Sequence, residues 1–264
     1  MVSSATACAV LPVQLKRGGT MSDQRSITAS VAYWGSIAAL TAALCGLLGI
    51  QLRLLQPITG FYLFALGTLV GGIFALSVGL IALWVTRHQA SGIGRKRAWI
   101  ASAIGFALTM LLVTSALPGR EFPPINDITT DLVDPPAFAS VSLVPAYAGF
   151  DMGYPAEFVP VVREGYSDLA SLELNLTPGA AYALSVEAAE RLGWEVTQQD
   201  PGKGRFDASD TTRIFRFVDD ITVRIRPQGS GSEVDIRSRS RVGRGDLGAN
   251  AQRIRAFYAE LRDR

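Results

Sequence analysis

Eight polar side chains near the C-terminus stand at spacings that could do chemistry: Asp219, Asp220, Arg224, Arg237, Arg241, Asp246, Asn250 and Arg253. Guanidinium forks match carboxylates and phosphates bidentately, so the set supports three readings. In the first, Asp219, Asp220, Arg224, Asp246 and Arg253 form an ion-pair and capping network that pins two strands and the last helix together. In the second, Arg237, Arg239, Arg241, Arg244 and Asn250 bind an anion, helped by the Gly243-Arg-Gly245 turn and a helix N-terminus. In the third, Asp219 and Asp220 act as the paired carboxylates of a hydrolase. Adjacent strand residues point to opposite faces unless a bulge re-aims one, which weighs against that pairing. The two acids could also hold a hard cation, but no ligand-loop spacing supports it.

What is missing narrows the chemistry further. The two cysteines are Cys8 and Cys45, and the one histidine is His88. The C-terminal half therefore has no disulfide, thiolate nucleophile or cysteine zinc site, and it lacks the usual general base near neutral pH. No cofactor motif is present, and none is expected to be bound.

The elements that must position these groups follow from pattern. Thr177-Pro178 reads as a helix start, with Ala181, Leu184, Ala188 and Leu192 on one face and Gly193 at its end. Strands are predicted over 194–199, 205–209, 213–226 and 233–242, separated by turns at Pro201-Gly-Lys-Gly204 and Gln228-Gly-Ser-Gly231. Asp219-Asp220 interrupts the apolar alternation of the third strand, and a bulge or bend is expected there. On the fourth, Val234, Ile236, Ser238, Ser240 and Val242 face inward, and Asp235, Arg237, Arg239 and Arg241 outward. A last helix is predicted over 246–262, with Asp246 as its cap. The order α-β-β-β-β-α implies a two-layer α+β domain, an antiparallel sheet of about four strands covered by helices on one face.

The charge distribution then divides the chain. Of 264 residues, 31–117 carry five charged side chains and 118–264 carry 39. Residues 31–52, 54–86 and 98–119 are uncharged apolar runs of 22, 33 and 22 residues, against about 20 needed to cross a bilayer as a helix. Transmembrane helices are expected near 31–50, 61–85 and 98–117. Lys16, Arg17 and Arg25 precede the first, and Arg87, Arg95, Lys96 and Arg97 lie between the second and third. By the positive-inside rule the N-terminus is cytoplasmic and the C-terminal half periplasmic. Tyr33, Trp34, Phe61, Tyr62, Trp84 and Trp99 fall near span ends, as aromatic belts do. Gly67-Thr-Leu-Val-Gly71, Gly72 and Gly79 let helices approach closely, within the trio or in a dimer. No acid, lysine or histidine lies inside a span, which disfavours a transport path. Residues 1–30 read as a cytoplasmic tail, and Met21 is an alternative start to Met1. Residues 118–166, with five prolines between 118 and 136, read as an extended juxtamembrane linker; the domain proper is expected over 167–264.

Phe217-Val-Asp-Asp-Ile-Thr-Val-Arg224, the run from Val234 to Asn250, and Arg253-Ile254 resemble the bacterial domain of unknown function 1499 family. Pro124-Ile-Asn-Asp-Ile-Thr-Thr-Asp131 and Asp134-Pro-Pro-Ala-Phe138 resemble it too. The likeness covers about 120–262, with Arg239 standing where a smaller residue is expected and Ala249 and Ala251 where bulkier ones are common. It implies a bacterial envelope protein and brings no established activity. The reading is thus a multi-pass protein of the inner membrane, with a periplasmic binding or scaffolding module. Its partners would be the lipid bilayer and an anionic lipid or envelope polymer. The alternative is an enzyme acting on an envelope or lipid substrate through Asp and Arg groups. Nucleic acid is disfavoured, because residues 118–264 carry a net charge of −5 and the Arg-rich strand faces away from the cytoplasm. Protein partners are left open.

Overall fold

The computed structural model describes residues 26–88 and 92–263; most of the N-terminal tail and the question of Met21 lie outside them. Helices α1 (Ile27–Gln51), α2 (Pro57–Ala65), α3 (Gly72–Val85) and α4 (Ile93–Ala116) build the N-terminal half. A π-helical turn, Leu66–Gly71, joins α2 to α3, so that Pro57–Val85 runs as one rod. Among the described residues, three helices are thus long and apolar enough to cross a membrane. The small residues work inside the trio. A Cβ at Gly67 would meet the Ala39 carbonyl oxygen at 2.6 Å, and one at Gly79 would meet Ser102 Oγ at 2.5 Å. The glycine face of the second rod is therefore filled by α1 and α4.

The C-terminal half folds around one antiparallel sheet. Its strands are β1 (Asp127–Thr129), β2 (Leu172–Leu174), β3 (Glu195–Asp200), β4 (Arg205–Thr211), β5 (Val218–Gln228) and β6 (Gly231–Ser240). The order is β1-β6-β5-β4-β3, with β2 also paired to β6. Helices α5 (Phe158–Gly165), α6 (Pro178–Arg191) and α7 (Ala249–Arg262) complete the domain. Helices α6 and α7 bury the sheet face formed by Phe206, Ala208, Ile221, Val223, Val234 and Ile236, around Phe257 and Tyr258. Thr177 caps α6 by accepting from the Ala180 N–H.

The expected antiparallel sheet of about four strands is present, and two three-residue strands, one from residues 118–166 and one from their flank, add to the edge of β6. Three expectations need correction. Strand β5 begins at Val218, since residues 212–217 form the β4–β5 connection, closed by Phe217 N–H to Thr212 Oγ1 at 2.9 Å. Asp219-Asp220 makes no bulge: both ladders pass through it in register. The bulge lies instead between Val196 and Gln198 on the edge strand β3. Residues 118–166 are not a free linker either. They supply β1, a 3-10 turn at Pro145–Tyr147 and helix α5, and residues 131–154 lie over the sheet face opposite the helices. The side chains expected to point outward on β6 are consequently enclosed.

Candidate functional site

The eight polar residues divide between the two sheet faces, as strict alternation along β5 and β6 requires. On the helix face, Arg253 of α7 donates to Asp219 Oδ2 at 2.7 Å and to Asp210 Oδ2 at 2.8 and 2.9 Å. Burial raises the pKa of the Asp219 carboxyl, with Asp210 adding to the rise, while Arg253 and Ser240 pull it down. Asn250 is wholly buried. Its amide donates to the Asn126 carbonyl and Ser240 Oγ, and its oxygen accepts from Ser238 Oγ and Arg253. All four hydrogen-bonding positions of that amide are engaged within the protein. Asp246 accepts from the Gly248 and Asn250 N–H groups at 2.9 and 2.7 Å, capping α7 from two residues before its Gly248 N-cap.

The opposite face carries the arginine layer. Arg237, 2% exposed, donates through Nε and Nη2 to both oxygens of Asp127, at 2.9 and 2.7 Å. Its remaining donors reach the carbonyls of Pro136, Met152 and Gly153. Five donors meet five acceptors, the full capacity of a guanidinium. The rings of Phe138 and Tyr154 lie 4.9 and 5.1 Å from its central carbon, a cation–π enclosure. Burial pushes the Asp127 carboxyl up, and the Arg237 fork opposes it.

Its neighbours follow the same rule. Arg241 grips Asp220 bidentately at 2.7 and 2.9 Å, and that bond to Asp220 holds the Arg241 pKa above its ordinary value. Arg224 binds Asp131, Asp134 and Asp235, and Arg226 reaches Asp131, Glu233 and Asp235. Burial lifts Asp131, but the N–H groups of Asp134 and Val133 and the Arg226 fork outweigh it, so its pKa falls. Of the five residues predicted to bind a ligand, then, Arg237, Arg241 and Asn250 face inward to protein partners. Arg239 donates to Met152 Sδ at 2.9 Å and stands 3.8 Å from Asp127, keeping spare donors. Arg244 is exposed in the β6–α7 loop.

Sequence reasoning missed the other half of this layer: Asp127, Asp131, Asp134, Asp207 and the aromatic cover Phe138, Tyr147 and Tyr154. A usable signal existed. An acidic, proline-rich stretch lies upstream of a strand with arginine at every second position, and such charges are complementary. Asp207 is the odd member. It is buried, accepts from the Ala139 N–H and the Tyr147 hydroxyl at 2.7 and 3.1 Å, and leaves Oδ1 without a hydrogen-bond partner.

The matched region fits this geometry. The family model described as Protein of unknown function (DUF1499) matches residues 127–261. The chain belongs to this family. The DUF1499 match begins at Asp127, the carboxylate that holds Arg237, so the covering segment is part of the family domain and not an appendage to it. No curated protein matches the chain.

One concave feature of this DUF1499 domain is a cleft of about 300 Å3 on the helix side, lined by Leu192, Trp194, Asp210, Ala249, Gln252, Arg253 and Ala256. Among the described residues, no group of three His, Cys, Asp or Glu side chains is placed to hold a metal ion.

Proposed function

We propose that the chain is a multi-pass protein of the bacterial inner membrane whose C-terminal domain lies on the periplasmic side and serves as a binding or scaffolding module of the envelope. The observation that carries this is the saturation of the arginine layer. Arg237 has a partner for each donor and lies between two rings under residues 131–154, so the polar centre holds the domain's two layers together and is closed to substrate. Orientation is supported by the basic residues Arg87, Arg95, Lys96 and Arg97, which lie at the end of the helix trio away from the domain, where Arg97 donates to Ser30 Oγ and Arg95 to the Thr86 carbonyl. Basic loops stay in the cytoplasm.

An anionic lipid or envelope polymer would meet Arg239 and Arg244, the two predicted ligands with donors to spare. Two experiments test the reading. Fusions at the C-terminus should give active alkaline phosphatase and dark green fluorescent protein; the reverse pattern refutes the orientation. The full chain, extracted with its native lipids, should carry an anionic lipid or polymer that falls when Arg239 and Arg244 are both changed to Ala. Equal recovery refutes the ligand.

One observation favours the enzyme reading. Asp210 and Asp219 share one guanidinium at the edge of an open cleft, and Asp210 is partly exposed. Asp210→Asn should then abolish turnover of an envelope substrate without unfolding the domain. Unchanged turnover removes it.

A further inference from the structure

The end of the sheet domain nearest the membrane helices is formed by the β4–β5 and β6–α7 connections. The β4–β5 connection reaches the end of α1, where the Gln51 amide donates to the carbonyls of Arg213 and Ile214 at 2.9 and 2.7 Å. Phe215 packs edge-on against Phe61 and Phe64 of α2, and Phe217 against Phe61. The β6–α7 loop reaches the end of α4, where a Cβ at Gly119 would meet Leu247 Cδ2 at 2.6 Å. Both loops therefore stand at the level where the three candidate spans leave the bilayer.

Three features of this rim coincide. Ile214 and Leu247 are 60% and 58% exposed there. Arg213, Arg216 and Arg244 accompany them. Among the described residues, Arg191, Arg224, Arg226, Arg237, Arg241, Arg253 and Arg255 are held by carboxylates, whereas Arg213, Arg216 and Arg244, like Arg163, Arg205 and Arg262, are not. The backbone is strained at the same places. Among the described residues, the non-glycine residues with positive φ are Arg53, Arg216 and Leu247, at +59°, +51° and +54°. Arg53 follows α1, and the other two lie in the two rim loops. Left-handed backbone at such residues persists where its surroundings impose it and marks functional segments.

The geometry points to a lipid-docking rim: Ile214 and Leu247 enter the interfacial layer of the bilayer, and Arg213, Arg216 and Arg244 contact the phosphates of anionic headgroups. Apolar side chains flanked by unpaired cations are what an interfacial anchor needs, and the rim is continuous with helices that cross the same membrane. The domain is thereby fixed against the surface and does not swing on its tether. This rests on the membrane-anchored reading, but not on which side of the membrane the domain lies.

The test uses the full chain with its own cysteines changed to Ser, carrying a single fluorophore-labelled cysteine at position 214, 247 or 230. It is reconstituted in vesicles of phosphatidylcholine, with or without an equal part of phosphatidylglycerol, containing a lipid with a quencher near its headgroup. Ser230 lies in the β5–β6 turn, at the far end of an eleven-residue strand, about 33 Å along it. Quenching at 214 and 247 should exceed that at 230 by at least about threefold, since interfacial insertion is ~5–10 Å deep, and should rise with phosphatidylglycerol. The variant R213Q/R216N/R244Q should lose that rise; Asn at 216 tolerates the left-handed backbone. Equal quenching at all three positions overturns the rim. Quenching indifferent to phosphatidylglycerol, in both proteins, overturns the headgroup contact. A domain on the cytoplasmic side would still show the quenching pattern, so failure of the orientation is distinguishable from failure of the rim.

Discussion

The helix trio and the sheet domain differ in what they bury: the trio encloses mostly small side chains, and the domain adds aromatic and charged ones. Inside the trio most enclosed side chains are small: Ala29, Ala32, Ala39, Ala75, Ala82 and Ala98, with Ser36 and Thr68; Ile50 and Leu108 are the large ones among them. Leu44, Leu48, Leu80, Ile81 and Phe106 point away from it. Inside the domain large and charged side chains are enclosed beside small ones: Phe206, Phe257, Ile236, Tyr147, Arg237 and Asp127 with Ala181, Ala188, Ala208 and Ala251. The difference teaches what solvent each half folds against. Next to hydrocarbon a leucine gains nothing by turning inward, so contact surfaces are selected for close backbone approach. Next to water the large apolar groups must be covered, and a charge can follow them only when every hydrogen-bonding position is met.

The largest test of that contrast is Arg237. Arg237→Ala would strand the Asp127 carboxylate beneath residues 131–154 and should cost about 3–5 kcal/mol, the usual penalty for breaking a buried pair. Thermal unfolding of the domain in the detergent-solubilised full chain measures it. The double variant Asp127→Leu/Arg237→Met should recover most of the loss, because it removes both charges. A loss under about 1 kcal/mol for the single variant would mean that the layer is hydrated.

The same apolar truncation should read differently in the two halves. Ile236→Ala, in the domain core, should cost about 2–5 kcal/mol. Leu80→Ala, on the outward face of α3, should stay within about 0.5 kcal/mol. Equal losses would place Leu80 at a protein contact and break the comparison. Conversely, adding bulk should hurt only the trio's interior. A Cβ at Gly105 would lie 2.3 Å from the Leu76 backbone nitrogen, so Gly105→Val should push α3 and α4 apart and cost about 1–3 kcal/mol. Its measure is the yield of folded chain retained on mild heating in detergent.

Much of this architecture is legible in sequence, and the limits have physical causes. The spans are plain because twenty uncharged apolar residues have few other uses. The helix over 178–191 and the strands flanking Gln228-Gly231 are plain because caps and alternation are local signals. The second cover is not local. The alternation along β6 identifies Arg237 and Arg239 as facing away from the helices, but periodicity cannot distinguish water from a proline-rich coil about a hundred residues upstream. Prolines at 118, 123, 124, 135 and 136 exclude a continuous helix and so read as a linker. The structure uses the same rigidity to lay Pro136 and Phe138 against Arg237. The ion pairs of Arg253 with Asp219 and of Arg241 with Asp220 were foreseeable as a network. That the adjacent acids serve opposite faces follows from alternation alone.

The smallest expected effect concerns a carboxyl that the domain buries without a cation. Asp207 accepts from Ala139 and Tyr147, but among the described residues its Oδ1 has no partner and no guanidinium pairs with it. Burial raises its pKa in the folded chain more than the Ala139 and Tyr147 hydrogen bonds lower it. In the unfolded chain it titrates near its ordinary value of about 3.9. The folded state therefore holds the proton over a window above that value where the unfolded state has released it. Stability contributed by the protonated form is complete at low pH and is lost as pH rises through the folded-state pKa. Asp168 has the opposite sign: its bond to Arg255 lowers its pKa, so its contribution is present above about pH 4 and lost below it. Asp207→Asn keeps an oxygen for Ala139 and Tyr147 and removes the charge. Its unfolding midpoint should match or exceed wild type at neutral pH, and the decline with rising pH should flatten. Asp168→Asn should leave that decline in place and weaken the loss on acidification. Parallel curves for wild type and Asp207→Asn would show that Asp207 keeps its ordinary titration, and hence that water reaches the space under Phe138 and Tyr147. The cover would then be a loose flap, and the domain's second face would be closer in kind to a surface than to a core.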